Sequence, residues 1–223
     1  VAAAVALIDY GAGNLHSVAN ALKTAGARDI AVTADPVIVA GADRIVLPGV
    51  GAFGACASAL RGVDGMIEAI EQRVLRGGAP FLGICVGMQL MADAGEEGWV
   101  NGPPDRSGHA GGMTDPTLGE HPGLGWIKGR VRHLTPNDPA AKVPHMGWND
   151  VRPLSPHPLI EAGEAYFLHS FAFEGEDVVA TSDHAGPVAA AIARDNLAGV
   201  QFHPEKSQRY GLDLLARFLE WRP

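Results

Sequence analysis

Over its first 92 residues the chain alternates short apolar runs with stretches of helical spacing, and that order constrains the fold more than any other feature. Val5 to Asp9, Ile30 to Thr33, Arg44 to Leu47 and the run from Phe81 read as strands. Ser17 to Ala25, Phe53 to Leu60 and Met66 to Leu75 read as helices. Glycine punctuates the series: Gly26 stops the first helix, Pro48-Gly49 ends the third strand, and Gly77-Gly78 closes the helix before Phe81. Alternation of this kind implies an α/β fold, a mostly parallel central sheet flanked by helices on both faces. Ligands of such sheets gather at the carboxyl ends of the strands. The glycine-rich turns after Ile8, Leu47 and Ile84 are therefore expected along one edge.

The second half has a different texture. Gly98 to Gly125 holds eight glycines and four prolines in 28 residues with little periodicity, and reads as a long, irregular, mobile loop. Beyond it, Trp126 to His133, Val143 to Val151, Ala165 to Phe173, Val178 to Thr181, Pro187 to Arg194 and Leu197 to Phe202 read as closely spaced strands, an antiparallel or mixed extension of the sheet. Tyr210 to Trp221 closes the chain as an amphipathic helix with Leu212, Leu215 and Leu219 on one face. With no repeat and no linker long enough to separate domains, residues 1–223 are expected to form one domain.

The chemistry concentrates at two places. Phe81-Leu82-Gly83-Ile84-Cys85-Val86-Gly87 runs from strand into a Gly-x-Cys-x-Gly turn, followed by a helical stretch from Met88 to Ala92. Small neighbours permit the tight turn that projects a nucleophile from the top of a sheet. A following helix would direct N–H groups and its positive end at the sulfur. On that segment alone a buried structural cysteine remains an alternative. The second place lies 118 positions on, at Gln201-Phe202-His203-Pro204-Glu205, where a base and its orienting carboxylate stand two residues apart at a strand end. Acyl transfer needs a nucleophile, a base, a group that holds the base, and oxyanion donors. Cys85, His203 and Glu205 supply the first three. The backbone N–H of Val86 and one from Gly49, Val50 or Gly51 supply the last.

Other classes find less support. A net charge of −8 argues against non-specific binding to nucleic acid or anionic membranes, and no apolar run approaches the ~20 residues of a membrane span. The apolar start runs directly into Asp9-Tyr10-Gly11 and reads as a first buried strand instead of a secretion leader. Two cysteines give no secreted framework, and a reducing cytoplasm suits a reactive Cys85. Cys56 reads as a packing residue on a helix. Gly11-x-Gly13 lacks the third glycine of a dinucleotide fingerprint, and the loop after Pro48 fits no phosphate-binding spacing. His109, His121, His133, His157 and His184 lack metal-ligand spacing and read as solvated or structural, so no metal and no cofactor are expected. His145 and His169 sit among residues too specific in type to set aside.

Together the motifs resemble the class I (triad) glutamine amidotransferases. Gly83-Ile84-Cys85-x-Gly87-Met88-Gln89 and Phe202-His203-Pro204-Glu205 carry the likeness. Asp9-Tyr10-Gly11-x-Gly13-Asn14-Leu15, Leu47-Pro48-Gly49-Val50-Gly51-Ala52-Phe53, Pro144-His145-Met146-Gly147-Trp148-Asn149 and Lys206-Ser207 are similar to the branch formed by the glutaminase subunits of imidazole glycerol phosphate synthases. The match runs from residue 5 to about 220 and breaks around 98 to 122. It implies a flavodoxin-like amidotransferase fold and a Cys85, His203, Glu205 triad that releases ammonia from glutamine. It also implies that Gln89 and Glu97 hold the substrate, beside the backbone of His169, Ser170 and Phe171. The implied partner is a (β/α)8 cyclase subunit, paired as a heterodimer through a face holding Asn14, His145, Trp148 and Lys206. Val86 stands where leucine is commoner and Phe171 where tyrosine is common; neither departure touches the triad. A sibling amidotransferase of anthranilate or guanylate synthesis, or a silent docking partner, are the competing readings.

Overall fold

The computed structural model describes residues 5–98 and 119–223. In chain order the elements are β1 (Val5–Ile8), α1 (Leu15–Thr24), β2 (Ile30–Thr33), α2 (Pro36–Ala40), β3 (Arg44–Gly49), α3 (Phe53–Gly62), α4 (Met66–Glu71), β4 (Phe81–Cys85) and α5 (Val86–Gln89). Then follow β5 (Ala94–Gly95), β6 (His121–Pro122), β7 (Gly129–His133), β8 (His145–Pro153), β9 (Gly163–His169), β10 (Phe171–Gly175), β11 (Val178–Asp183), β12 (Pro187–Arg194), β13 (Leu197–Val200) and α6 (Gln208–Glu220). Nine strands form one sheet in the order β2-β1-β3-β4-β13-β12-β11-β8-β9, and β10-β7-β5-β6 form a second.

The large sheet has two characters. β2, β1, β3, β4 and β13 pair in parallel, while β13-β12, β12-β11, β11-β8 and β8-β9 pair antiparallel. β1, β3, β4 and β13 are buried along their whole length, as strands covered on both faces must be, which is why they read as continuous apolar runs. β8 instead alternates, with Met146 and Trp148 exposed and His145 and Val151 buried. The parallel strands all end on one edge, so the turns after Ile8 and Leu47, Cys85 and the segment after Val200 converge there.

Four local expectations need correction. Ala165 to Phe173 is two strands: the chain leaves the large sheet after His169 and enters the second at Phe171, turning at Ser170. The helix after the elbow is a single turn that starts at Val86, with Gly87 packed backbone to backbone against β3. α2 lies where no helix is read from spacing; Asp35 starts it by accepting the Val37 N–H at 2.8 Å, with Pro36 in its first turn. On α6 the buried residues are Gly211, Leu214, Leu215 and Phe218, with Leu212 and Leu219 only part-buried at the margin. The expectation of a mobile loop over 98 to 125 falls mostly outside the described residues. Among the described residues no helix is long and apolar enough to cross a membrane.

Candidate active site

Cys85 ends β4 with φ 55° and ψ −112°, a backbone conformation that residues with a Cβ avoid. Such strain costs of order 1–3 kcal/mol and persists only where its surroundings enforce it. Here they do. A Cβ on Gly87 would lie 1.9 Å from the Leu47 carbonyl oxygen, and one on Gly49 would lie 2.8 Å from the Gly87 nitrogen. The elbow and the loop after β3 therefore touch main chain to main chain, which brings Gly49, Val50 and Gly51 beside the sulfur-bearing turn.

His203 follows the neighbouring parallel strand. Val200 of β13 pairs with Ile84, so the chain leaves β13 level with Cys85. Two bonds to β9 fix the exit: the His203 N–H donates to the Tyr166 carbonyl at 2.9 Å, and the Ser207 hydroxyl donates to the His203 carbonyl at 2.7 Å while accepting the Tyr166 N–H. Pro204 opens the 3-10 turn that returns Glu205 to the ring, with His203 Nδ1 2.9 Å from Glu205 Oε1. A carboxylate only accepts, so Nδ1 carries the proton and Nε2 is left for the sulfur. Both side chains are almost fully buried. Burial, the largest influence, opposes charge on His203, but hydrogen bonds and charge interactions with Cys85 and Glu205 outweigh it and raise the imidazole to about 9.

A pocket of about 350 Å³ opens over the sulfur. Its lining brings together Val50, Gly51, Val86, Gln89, Glu97, His169, Ser170 and Phe171 with Cys85 and His203. Gln89 Nε2 donates to the Phe171 carbonyl and to Gln201 Oε1, each at 2.9 Å. Gln201 Nε2 in turn lies 3.7 Å from Cys85 Sγ. Gln89 Oε1 is buried without a protein partner among the described residues. Glu97 accepts the Phe53 N–H at the start of α3, and burial raises its carboxyl above the usual range against that bond. Sequence reasoning assigns no role to Gln201; its one signal is a glutamine inside an otherwise apolar, fully buried segment.

The loop after β3 is tied from behind. The Tyr10 hydroxyl donates to the Pro48 carbonyl at 2.8 Å, and the Cys56 thiol to the Val50 carbonyl at 3.3 Å. Cys56 is thus more than packing on α3, and both cysteines are free thiols.

The residues expected on a docking face divide. Asn14 is exposed at the start of α1, where its side chain accepts the Ser17 N–H. Trp148 is 48 % exposed and meets the Tyr166 ring edge-on, and the Lys206 ammonium lies 5.9 Å from the centre of that ring. Met146 and Leu168, paired across β8 and β9, are also exposed beside the pocket. His145 is not on this surface: it is 3 % exposed because its ring points inward between Phe167 and His184.

The model of the family described as glutamine amidotransferase class-I matches residues 6–221. The chain is 57% identical over 225 residues to the imidazole glycerol phosphate synthase subunit HisH of Zymomonas mobilis, covering 98% of this chain and 96% of that one. It is 51% identical to the subunit of the same name from Caulobacter vibrioides, at 98% and 99% coverage. Among solved structures, one described as a glutamine amidotransferase superposes with TM-score 0.69 at 17% identity over 97% of both chains. PurLQS from Thermotoga maritima superposes with TM-score 0.67 at 18% identity over 99% of both. The elbow, the parallel sheet and the match along nearly the whole chain lead to one conclusion: this chain belongs to the class-I glutamine amidotransferase family.

Proposed function

We propose that this chain is the glutaminase subunit of an imidazole glycerol phosphate synthase, hydrolysing glutamine and passing the ammonia to a cyclase subunit in histidine biosynthesis. The observation that carries the chemistry is the meeting of Cys85 and His203 in one pocket, with His203 Nδ1 2.9 Å from Glu205 Oε1. The subunit assignment rests on relatives of that name at 57% and 51% identity.

His203 takes the thiol proton of Cys85. The sulfur attacks the side-chain amide carbon of glutamine, and the carbonyl electrons move onto oxygen. The N–H of Val86 and one from Gly49 to Gly51 receive that oxyanion. As the carbon–nitrogen bond breaks, protonated His203 gives its proton to the leaving nitrogen, which departs as ammonia. The now neutral ring takes a proton from water, whose oxygen attacks the thioester carbon; collapse expels the thiolate and frees glutamate. Glu205 holds the ring in the tautomer both steps need. Gln89, Glu97 and the His169-Ser170-Phe171 backbone position the substrate.

The surface of Asn14, Trp148, Lys206, Met146 and Leu168 would receive the cyclase in a heterodimer, so that ammonia crosses without meeting bulk water and being protonated. Free thiols at Cys56 and Cys85 suit a cytoplasmic setting. Because the oxyanion loop is exposed at Val50, we expect the isolated chain to be a poor glutaminase, one misaligned donor costing ~10²–10³ in turnover. The test is glutamate release by the chain alone, then with the cyclase and its nucleotide. A rise of that order on assembly supports the reading. Full activity alone removes the gating, and no activity in either state removes the glutaminase.

A further inference from the structure

The buried histidine pair behind the pocket has a role that neither the triad nor the docking face accounts for. His169 Nδ1 lies 2.9 Å from the Phe171 carbonyl, His145 Nδ1 lies 3.0 Å from His169 Nε2, and Asn149 Nδ2 lies 3.0 Å from His145 Nε2. These contacts admit one proton arrangement. A carbonyl can only accept, so His169 carries its proton on Nδ1 and its Nε2 accepts. His145 must then donate from Nδ1 and accept at Nε2. Asn149 can supply that proton, because its Oδ1 already accepts the Asp150 N–H at 2.8 Å and its Nδ2 also donates to the Asp183 carbonyl. An extra proton on either ring would set N–H against N–H. Burial, acting first, pushes both rings well below an ordinary histidine, to about 4 for His145 and about 3 for His169.

The line does not stop at the Phe171 carbonyl. Gln89 donates to the same oxygen and to Gln201, whose amide nitrogen lies beside Cys85 Sγ. Six hydrogen bonds therefore link Asn149 on β8 to the nucleophile. Their midpoint is the Ser170 corner, where the chain changes sheets and lines the pocket. We propose that His145, acting through His169, is a positioning residue for glutamine: it fixes the Phe171 carbonyl, and thereby the Ser170-Phe171 wall of the pocket and the Gln89 amide bonded to that carbonyl. His145 and His169 then move no proton during turnover. This rests on the glutaminase reading for its substrate, but the proton order does not.

Two measurements test it. Two-bond 1H–15N correlation on the uniformly labelled full chain at pH 7, assigned with H145F and H169F, should show both rings neutral and protonated at Nδ1, the less common tautomer. A protonated ring or an Nε2–H tautomer at either residue overturns the proposal. In the complex with the cyclase, H145F keeps a flat ring and loses both polar contacts; it should raise KM for glutamine about tenfold or more, the scale of leaving a buried polar group unpaired, with kcat changing much less. H145N, whose amide can restore the donor to His169, should recover most of that loss. An unchanged KM in folded H145F, or equal loss in both variants, overturns it as well. If the unaltered complex releases no glutamate, the glutaminase reading fails while the spectrum still decides the proton order.

Discussion

The parallel and antiparallel parts of the sheet do different jobs with different materials. On the parallel side, β3, β4 and β13 are buried throughout, and main-chain packing fixes the site: Cys85 at φ 55°, with the Gly49 and Gly87 backbones in contact. On the antiparallel side, β8 and β9 alternate between exposed apolar residues and buried histidines, and hydrogen bonds between side chains fix the pocket wall. His203 stands at the seam, just past a parallel strand but with its N–H held by Tyr166 of β9. The backbone around Cys85 is thus set sterically and the pocket wall by polar contacts. Damage to the two parts should therefore read out differently.

The largest effect should come from the parallel side. C85A removes the nucleophile, and glutamine-dependent turnover of the complex should fall by ~10⁶, the scale for losing a triad nucleophile. Synthesis from added ammonia should survive. At the seam, E205Q leaves the ring without its carboxylate, and kcat should fall by ~10⁴ while KM stays close to its original value. G87A places a Cβ into the Leu47 carbonyl, so urea denaturation should show a loss of about 3 kcal/mol or more, with activity lost in parallel. Y10F frees the Pro48 carbonyl and should cost about tenfold in kcat, read in steady-state assays of the complex, with little change in KM. A KM effect there, or a kcat effect in H145F, would blur the division between the two sides.

Acidity gives the smallest and most diagnostic effect. His145 and His169 have folded values lowered to about 4 and 3 from 6.5. The unfolded chain therefore takes up their protons first, and stability falls as pH drops from about 6.5 toward 3. His203 is raised to about 9, so its contribution is full below 6.5 and fades as pH rises through 9. Melting temperature against pH should decline on both flanks, and H145F should make the acid flank shallower by His145's share while leaving the alkaline flank unchanged. Activity should fall above about pH 9, as His203 loses the proton that the leaving nitrogen requires.

How far the sequence can be read follows the same division. Fully buried strands announce themselves as apolar runs, and a nucleophile held between glycines at a strand end is a distinctive local pattern. The parallel half and the residue types of the triad are therefore legible. The Ser170 corner is not, because Ala165 to Phe173 keeps strand-like composition through the turn and only tertiary pairing divides it. Nor is the inward-facing His145: alternation along β8 gives a parity, and the ring's place depends on partners in β9 and beside β12. Gln201 is silent for a simpler reason, since a single buried amide has no sequence pattern beyond its polarity.

The most direct test of the central claim is to quench the complex during glutamine turnover with acid and map the glutamyl adduct by peptide mass spectrometry. The adduct should sit on the peptide that carries Cys85, with Cys56 unmodified and the signal absent in C85A. Steady release of glutamate from C85A, or an adduct on any other residue, would contradict the account.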